Sequence, residues 1–460
     1  MSGRIEQREQ LARQLSSKQL AMIAIGGAIG TGLFLGSSLA VHTAGPAVIV
    51  SYLIGAVITL LLMGALSEMA VAHPTAGSFG VYAEIYLHPW AGFTVRYTYW
   101  AAQCIAIGGE ATAIAIYCQW WFPNTPKWLW ILGFACALLY INARSVGSFG
   151  SFEYWFAMIK VVAIVLFIVF GAALLAGIGR SQAVGFSNIT AHGGFLPTGW
   201  RGVWMAMVFV IFSYLGTEVV AVTAGEAKDP ATAVPRAMRT MVGRLILFYL
   251  GAIVVLMCIV PWNQIQPGSD VTASPFVKVF QLIGVPAAAH LVNFVVITAA
   301  ASSMNCNLYL VSRMMFSLAR GGYAPAAFGR VSARGTPVPA LMVSAAGLAL
   351  AIVVAMLFPD SAFVYLFGIS LFGGLYAWLI IFVTHLRFRP KWDAAGHPPL
   401  PVRMYGHPFG SLAGTVAIAA IMATTWWVEG MRVTLIAGLP WLAVLTVAYF
   451  GVMRKRAAPV

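Results

Sequence analysis

Three ionisable side chains stand inside runs of apolar residues: Glu110 in IAIGGEATAIAI (105–116), Lys160 in FEYWFAMIKVVAIV (152–165) and Glu218 in FSYLGTEVVAV (212–222). Charge is costly to hold in such surroundings, so each is by default a functional candidate. Two roles fit Glu110: a protonated carboxyl bonded to a neighbouring helix, or a polar anchor that holds substrate or takes up a proton. Lys160 either snorkels back to an interface or sits as a buried amine able to exchange a proton. A helix broken at Gly216 would put Glu218 in the first turn of a second half-helix, where the helix dipole favours a carboxylate. There it serves as a latch on the break or as a coupling group. Glu68 and Glu153 lie nearer the ends of their apolar runs, and Lys278 lies where a snorkelling side chain would reach the outer surface.

Glycine marks the second candidate. Residues 23–36 read IAIGGAIGTGLFLG, although each glycine costs a helix interior about 1 kcal/mol relative to alanine. Gly26 and Gly30, spaced i and i+4, suit close helix packing. However, IGTG (29–32) is echoed by LGTE (215–218). The echo favours an unwound turn whose freed backbone groups line a cavity.

The elements that carry these residues must be membrane helices. Sixty per cent of residues are hydrophobic and 9% are charged, with a mean hydropathy of +0.86; a water-solvated chain needs far more charge at its surface. Twelve apolar segments long enough to span a bilayer can be drawn: 20–42, 46–71, 93–121, 127–143, 153–178, 201–226, 241–261, 276–306, 338–358, 361–385, 408–428 and 432–453. Stretches such as VVAIVLFIVFGAALLAG (161–177) are apolar throughout, which excludes barrel strands.

The net charge of +14 reads as topology rather than affinity for nucleic acid. Of the 27 Lys and Arg, 21 fall on one side of the twelve segments and 4 on the other, which puts both termini in the cytoplasm. The first segment is too long for a cleaved signal and is expected to be retained. Segment 1–19 reads as a cytoplasmic N-terminal stretch, 20–385 as the functional core, 386–407 as a cytoplasmic loop and 408–460 as two peripheral helices with a cytoplasmic tail. All five cysteines fall in apolar segments, without a C-x-x-C pair, and read as small buried residues. No glycine precedes a lysine, and neither H-E-x-x-H nor G-x-S-x-G occurs. An enzyme, a metal site and a bound cofactor are therefore not expected.

Six motifs, taken in order, carry a resemblance: IGGAIGTGLFLGSS (25–38), AGP (44–46), SEMAVAHPTAGSFGVYA (67–83), FEYWFAMIKVVAIV (152–165), FSYLGTEVVAVTAGEAKDPATAVPRA (212–237) and SRMMFSLARGGYAPAAF (312–328). The chain resembles the amino-acid transporter family of the amino acid–polyamine–organocation superfamily. That resemblance implies an all-α polytopic membrane protein of 12 transmembrane helices, a leucine-transporter-like fold of two five-helix inverted repeats. Helices one and six would be broken, with eleven and twelve peripheral.

The resemblance also implies a site. The carboxylate of an amino acid should meet Thr31, Gly32 and neighbouring N–H groups, and its ammonium the carbonyls near Ala28, Phe212 and Leu215. Substrate contacts are thus expected from Ala28, Ile29, Gly30, Thr31, Gly32, Glu110, Phe212, Leu215, Gly216 and Thr217, with Phe212 as an aromatic gate. Spans 3, 6, 8 and 10 should line the side-chain pocket. Lys160 matches a lysine that proton-coupled relatives set against the broken first helix; with Glu218 it is expected to couple protons. The implied activity is proton symport of an L-amino acid across the plasma membrane by alternating access, with protons, substrate and lipid as the only partners. Exchange is the alternative, and a membrane-embedded sensor or enzyme the remoter one.

Overall fold

The computed structural model describes residues 11, 13–34, 36–178, 185–265, 276–277, 279, 286–357 and 362–452. Lys278 and Arg180, together with the chain's first ten and last eight residues, lie outside them. The described residues are helical, joined by turns, and their one β-type contact is a backbone bridge between Leu15 and Ala227.

The first apolar segment is interrupted after Ala28: α1 (Ser17–Ala28) ends there, and helix resumes as α2 (Thr31–Phe34) and α3 (Gly36–Ala44), between which residue 35 lies outside the described residues. The start of α1 precedes the apolar residues because Ser16 and Gln19 build a capping box, each side chain meeting the other's backbone N–H. There follow α4 (Val48–Ala72), α5 (Ser78–Tyr86), α6 (Pro89–Gln119), α7 (Lys127–Arg144) and α8 (Val146–Leu175). The sixth segment is broken as well, into α9 (Gly199–Tyr214) and α10 (Val219–Thr223). The chain continues through α11 (Pro230–Ile259), α12 (Pro286–Arg320), α13 (Val338–Leu357), α14 (Ala362–Ala394), α15 (Phe409–Thr424) and α16 (Val433–Gly451). Among the described residues, eight helical stretches are long and apolar enough to cross a membrane.

Several boundaries differ from the hydropathy reading. The eighth segment was expected at 276–306, whereas α12 runs to Arg320, through the polar stretch SSMNCN. Protein rather than lipid surrounds it, since Ser302, Asn305, Ser312 and Arg313 are all buried. The loop expected at 386–407 is helical as far as Ala394. Arg389, inside that stretch, reaches the buried Glu68, which also meets His385 and the Met404 N–H. Arg96 and Arg313, two of the 21 cations assigned to the cytoplasmic side, are buried within helices and paired with Glu84 and Glu226. Of the five cysteines, Cys136 is exposed rather than buried, on the outer face of α7.

The pattern on α8 explains where its charges go. Its buried residues are Val146, Phe149, Gly150, Glu153, Ala157, Lys160, Ile164, Phe167 and Gly171, a single stripe at three- and four-residue steps. Apolar side chains such as Trp155, Val162, Val169 and Phe170 are exposed on the remaining faces. Glu153 and Lys160, seven residues apart, both lie on the buried stripe.

Candidate functional site

The two breaks meet. At the first, α1 ends on Ile29, whose backbone is extended (φ −88°, ψ 94°). At the second, α9 ends on Leu215, also extended, and Gly216 follows with φ +95°. A Cβ on Gly216 would strike the Gly27 carbonyl, and one on Gly27 would come within 3.1 Å of the Gly216 oxygen. Only glycine permits this φ without strain and this approach without a clash.

A broken helix leaves the carbonyls of its last turn without partners. In α1 two polar side chains supply them. Lys160 Nζ donates to Gly26 O at 2.6 Å and to Ile29 O at 2.7 Å. Lys160 is fully buried, which rules out snorkelling. A cation there also complements the negative end of the α1 dipole. The Tyr249 hydroxyl, from α11, lies 2.9 Å from Ala28 O and 2.6 Å from Ser213 O and so bridges both breaks. Ser213 Oγ donates to Gly32 O at 2.9 Å, a further link between them.

Two carboxylates flank the lysine. Glu153 accepts from Ser302 Oγ and, at 3.0 Å, from Asn305 Nδ2; Asn305 is itself bonded by Asn142. Glu110 Oε1 accepts from Ser303 Oγ at 2.8 Å, and Thr31 also lies within hydrogen-bonding reach of the carboxyl. Both face Lys160 electrostatically. The glycines of α1 admit them: a Cβ on Gly26 would collide with Glu153 Oε1, and one on Gly30 would lie 2.8 Å from Glu110 Oε1. Close approach thus accounts for Gly26 and Gly30, although their neighbours are acids rather than another backbone.

Glu218 serves the second break. Its carboxylate accepts from the Gly216 N–H, from Tyr99 Oη at 2.7 Å and from Trp378 Nε1 at 3.1 Å. Fully buried and held by three donors, it has the geometry of a latch.

A small cavity opens at the junction. Ala28, Gly30, Gly32, Glu110, Phe212, Leu215 and Gly216 line it. Ile29, Thr31, Thr217, Lys160 and Glu218 stand behind that wall, all buried, and Thr217 Oγ1 has no hydrogen-bond partner among the described residues. Phe212 stacks on Phe367 with ring centroids 3.7 Å apart. Gln103 and Ala106 of α6, Ser303 and Asn307 of α12 and Ser370 of α14 complete the lining. A larger cleft of about 970 Å³ between α6, α13, α14 and α16 is almost wholly apolar and holds none of these ionisable groups.

The sequence reading left Glu153 outside the site and did not point to Tyr249 or, Glu110 apart, to the lining residues of α6, α12 and α14. For Glu153 a signal existed, because a spacing of seven puts it on the same helix face as Lys160. For Tyr249, Gln103 and Asn307 no local pattern marks them out; only the packing of separate helices brings them here.

A bundle of apolar helices with two broken ones meeting around a small polar cavity belongs to a class of solute-carrying membrane proteins. Residues 19–458 match the amino acid permease family, within the amino acid–polyamine–organocation superfamily, and the chain belongs to it. It is 39% identical to the gamma-aminobutyric acid permease of Bacillus subtilis (strain 168), over 97% of this chain and 94% of that one. It is 38% identical to the aromatic amino acid transport protein AroP of Escherichia coli O6:H1, over 96% of each chain. It is 36% identical to the probable threonine/serine transporter YbxG of Bacillus subtilis (strain 168), over 98% and 97%. These relatives are named as transporters, and the apolar helices agree with a place in the cell membrane.

Proposed function

We propose that this permease imports an L-amino acid across the plasma membrane by proton symport, using alternating access. The observation that carries the reading is Lys160 Nζ donating to Gly26 O and Ile29 O. An ammonium there occupies the place, at the carbonyl end of a broken helix, where a metal cation would otherwise be needed. Glu153 and Glu110 on either side give its proton somewhere to go.

In this reading the twelve apolar segments all span the membrane, as two five-helix inverted repeats plus two peripheral helices, with both termini cytoplasmic. The substrate's carboxylate meets N–H groups at Gly30, Thr31 and Gly32, backed by Ile29. Its ammonium meets the carbonyls at Phe212 and Leu215, near Gly216 and Thr217, and competes with Tyr249 for Ala28 O. Phe212 gates the cavity, and Glu218 holds the sixth helix in its broken form. The partners are the amino acid, the proton and lipid, and the protein is a transporter rather than an enzyme.

Substrate choice follows from the cavity wall. Glu110 lines the cavity, and a carboxyl in its wall favours a polar or cationic side chain. The relatives are named for gamma-aminobutyrate, threonine/serine and aromatic amino acids, so only the amino-acid class carries over from them.

Proteoliposomes under an inward pH gradient, with no internal amino acid, provide the test. Accumulation of a labelled amino acid, competed best by polar or cationic ones, is expected. Uptake that requires internal amino acid would replace symport with exchange. Glu110→Gln should raise the apparent KM roughly tenfold or more, because a hydrogen bond to a charged group contributes about 1.5–3 kcal/mol.

A further inference from the structure

A second groove, remote from the cavity, lies between α4, the start of α11 and the strap 402–405, with a volume of about 1060 Å³. Its floor is Leu60, Leu61, Met63 and Gly64, and its rim carries Arg239 and Arg403. Among the described residues neither arginine makes a hydrogen bond or ion pair, both are exposed, and no carboxylate lines the groove.

The strap is not a loose loop that happens to carry an arginine. Met404 donates its N–H to the buried Glu68 and accepts from Arg389 at 3.2 Å through its carbonyl. Gly64 lets it close in, since a Cβ there would lie 3.0 Å from Met404 Cγ. With Val402 and Met404 buried, the alternation of an extended chain turns Arg403 and Tyr405 outward. Below the groove α4 exposes Leu53, Val57 and Leu60, each about half open, on one face at helical spacing. From Leu53 to Gly64 the helix rises about 16 Å, half of a hydrocarbon core about 30 Å thick. The apolar stripe therefore has the length of one leaflet, and the two arginines stand at its end nearer the C-terminus of α4. By the distribution of basic residues that end is the cytoplasmic one, where anionic lipids reside.

We propose that this groove binds one anionic phospholipid of the cytoplasmic leaflet. Its phosphate sits between Arg239 and Arg403, one acyl chain follows Leu60, Val57 and Leu53, and Tyr405 marks the interface. Charge complementarity and the one-leaflet stripe together select a lipid over a soluble anion or an acidic peptide, which would leave the stripe unused.

Native mass spectrometry of the full-length protein in detergent, titrated with phosphatidylglycerol or phosphatidylcholine of matched chains, tests this. One phosphatidylglycerol should bind in clear preference to phosphatidylcholine. Arg239→Gln/Arg403→Gln should weaken it about thirtyfold, from roughly 1 kcal/mol per arginine. Arg330→Gln/Arg334→Gln, which removes two exposed arginines elsewhere, should leave it intact, as should Arg239→Lys/Arg403→Lys. Equal binding of the two lipids, or undiminished binding in the Arg239→Gln/Arg403→Gln protein, would overturn the proposal. Displacement of the lipid by millimolar glycerol phosphate or by an acidic peptide would also overturn it, by making the groove a site for soluble anions.

Discussion

Four residues at the junction of the broken helices have a necessity that can be argued atom by atom. Gly216 combines φ +95° with contact against the Gly27 carbonyl, so a methyl group meets both strain and a clash. Gly216→Ala should lower stability by roughly 1–3 kcal/mol, read as an earlier thermal transition of the purified protein in detergent; an unchanged transition would mean that the break relaxes freely. At Gly26 and Gly30 any larger residue would have to displace the acid opposite it. Lys160 is required by the carbonyls that the break leaves open. The acids of this site were unequally legible in the sequence. Glu110 and Glu218 stand out because each is alone in an apolar run. Glu153 hides near the start of its run, and only the helical repeat on α8 ties it to Lys160.

Between elements, the two breaks are joined by side chains from a third helix. Tyr249 of α11 bridges Ala28 O and Ser213 O, and Tyr52 and Tyr214 pack against its ring. Tyr249→Phe keeps the ring and removes the one hydroxyl proton that the two buried carbonyls share, at a cost of about 1–3 kcal/mol. A destabilised protein in which labelled amino acid binds more tightly is expected, because Ala28 O becomes free for an ammonium. Equilibrium binding and thermal melting on one preparation separate the two effects, and weaker binding would contradict the assignment. Both breaks could be read from IGTG and LGTE, because glycine next to a small polar residue is costly in a helix unless the turn is used. The true end of α12 could not, because hydropathy reports on lipid contact and this helix is wrapped in protein as far as Arg313.

Over the whole molecule, buried ion pairs tie the ends of helices together away from the cavity. Glu226 pairs with Arg313 and Tyr309, and Glu84 with Arg96 and Tyr323. Leu15 exchanges backbone hydrogen bonds with Glu226 and Lys228, which draws the N-terminal stretch into the same assembly. Arg313→Met should cost about 3–5 kcal/mol by leaving Glu226 buried and unpaired, whereas Glu226→Gln/Arg313→Met should recover most of it. Melting of the single and double variants checks this, and a double variant no better than the single one would show that the pair does not act as a unit. Composition gave the membrane class, and ordered motifs gave the family. The partners of Arg96 and Arg313 were not legible, because a pair separated by 87 residues, as Glu226 and Arg313 are, leaves no local pattern.

The central claim is that amino acid and proton cross together through the Lys160 site. The most direct measurement is lumenal pH, followed with a trapped dye in proteoliposomes, on adding external amino acid without an imposed gradient. The account predicts acidification of the lumen by wild-type protein, and none by Lys160→Ala although that variant still binds substrate. Uptake by wild-type protein without acidification, or equal acidification by Lys160→Ala, would contradict it.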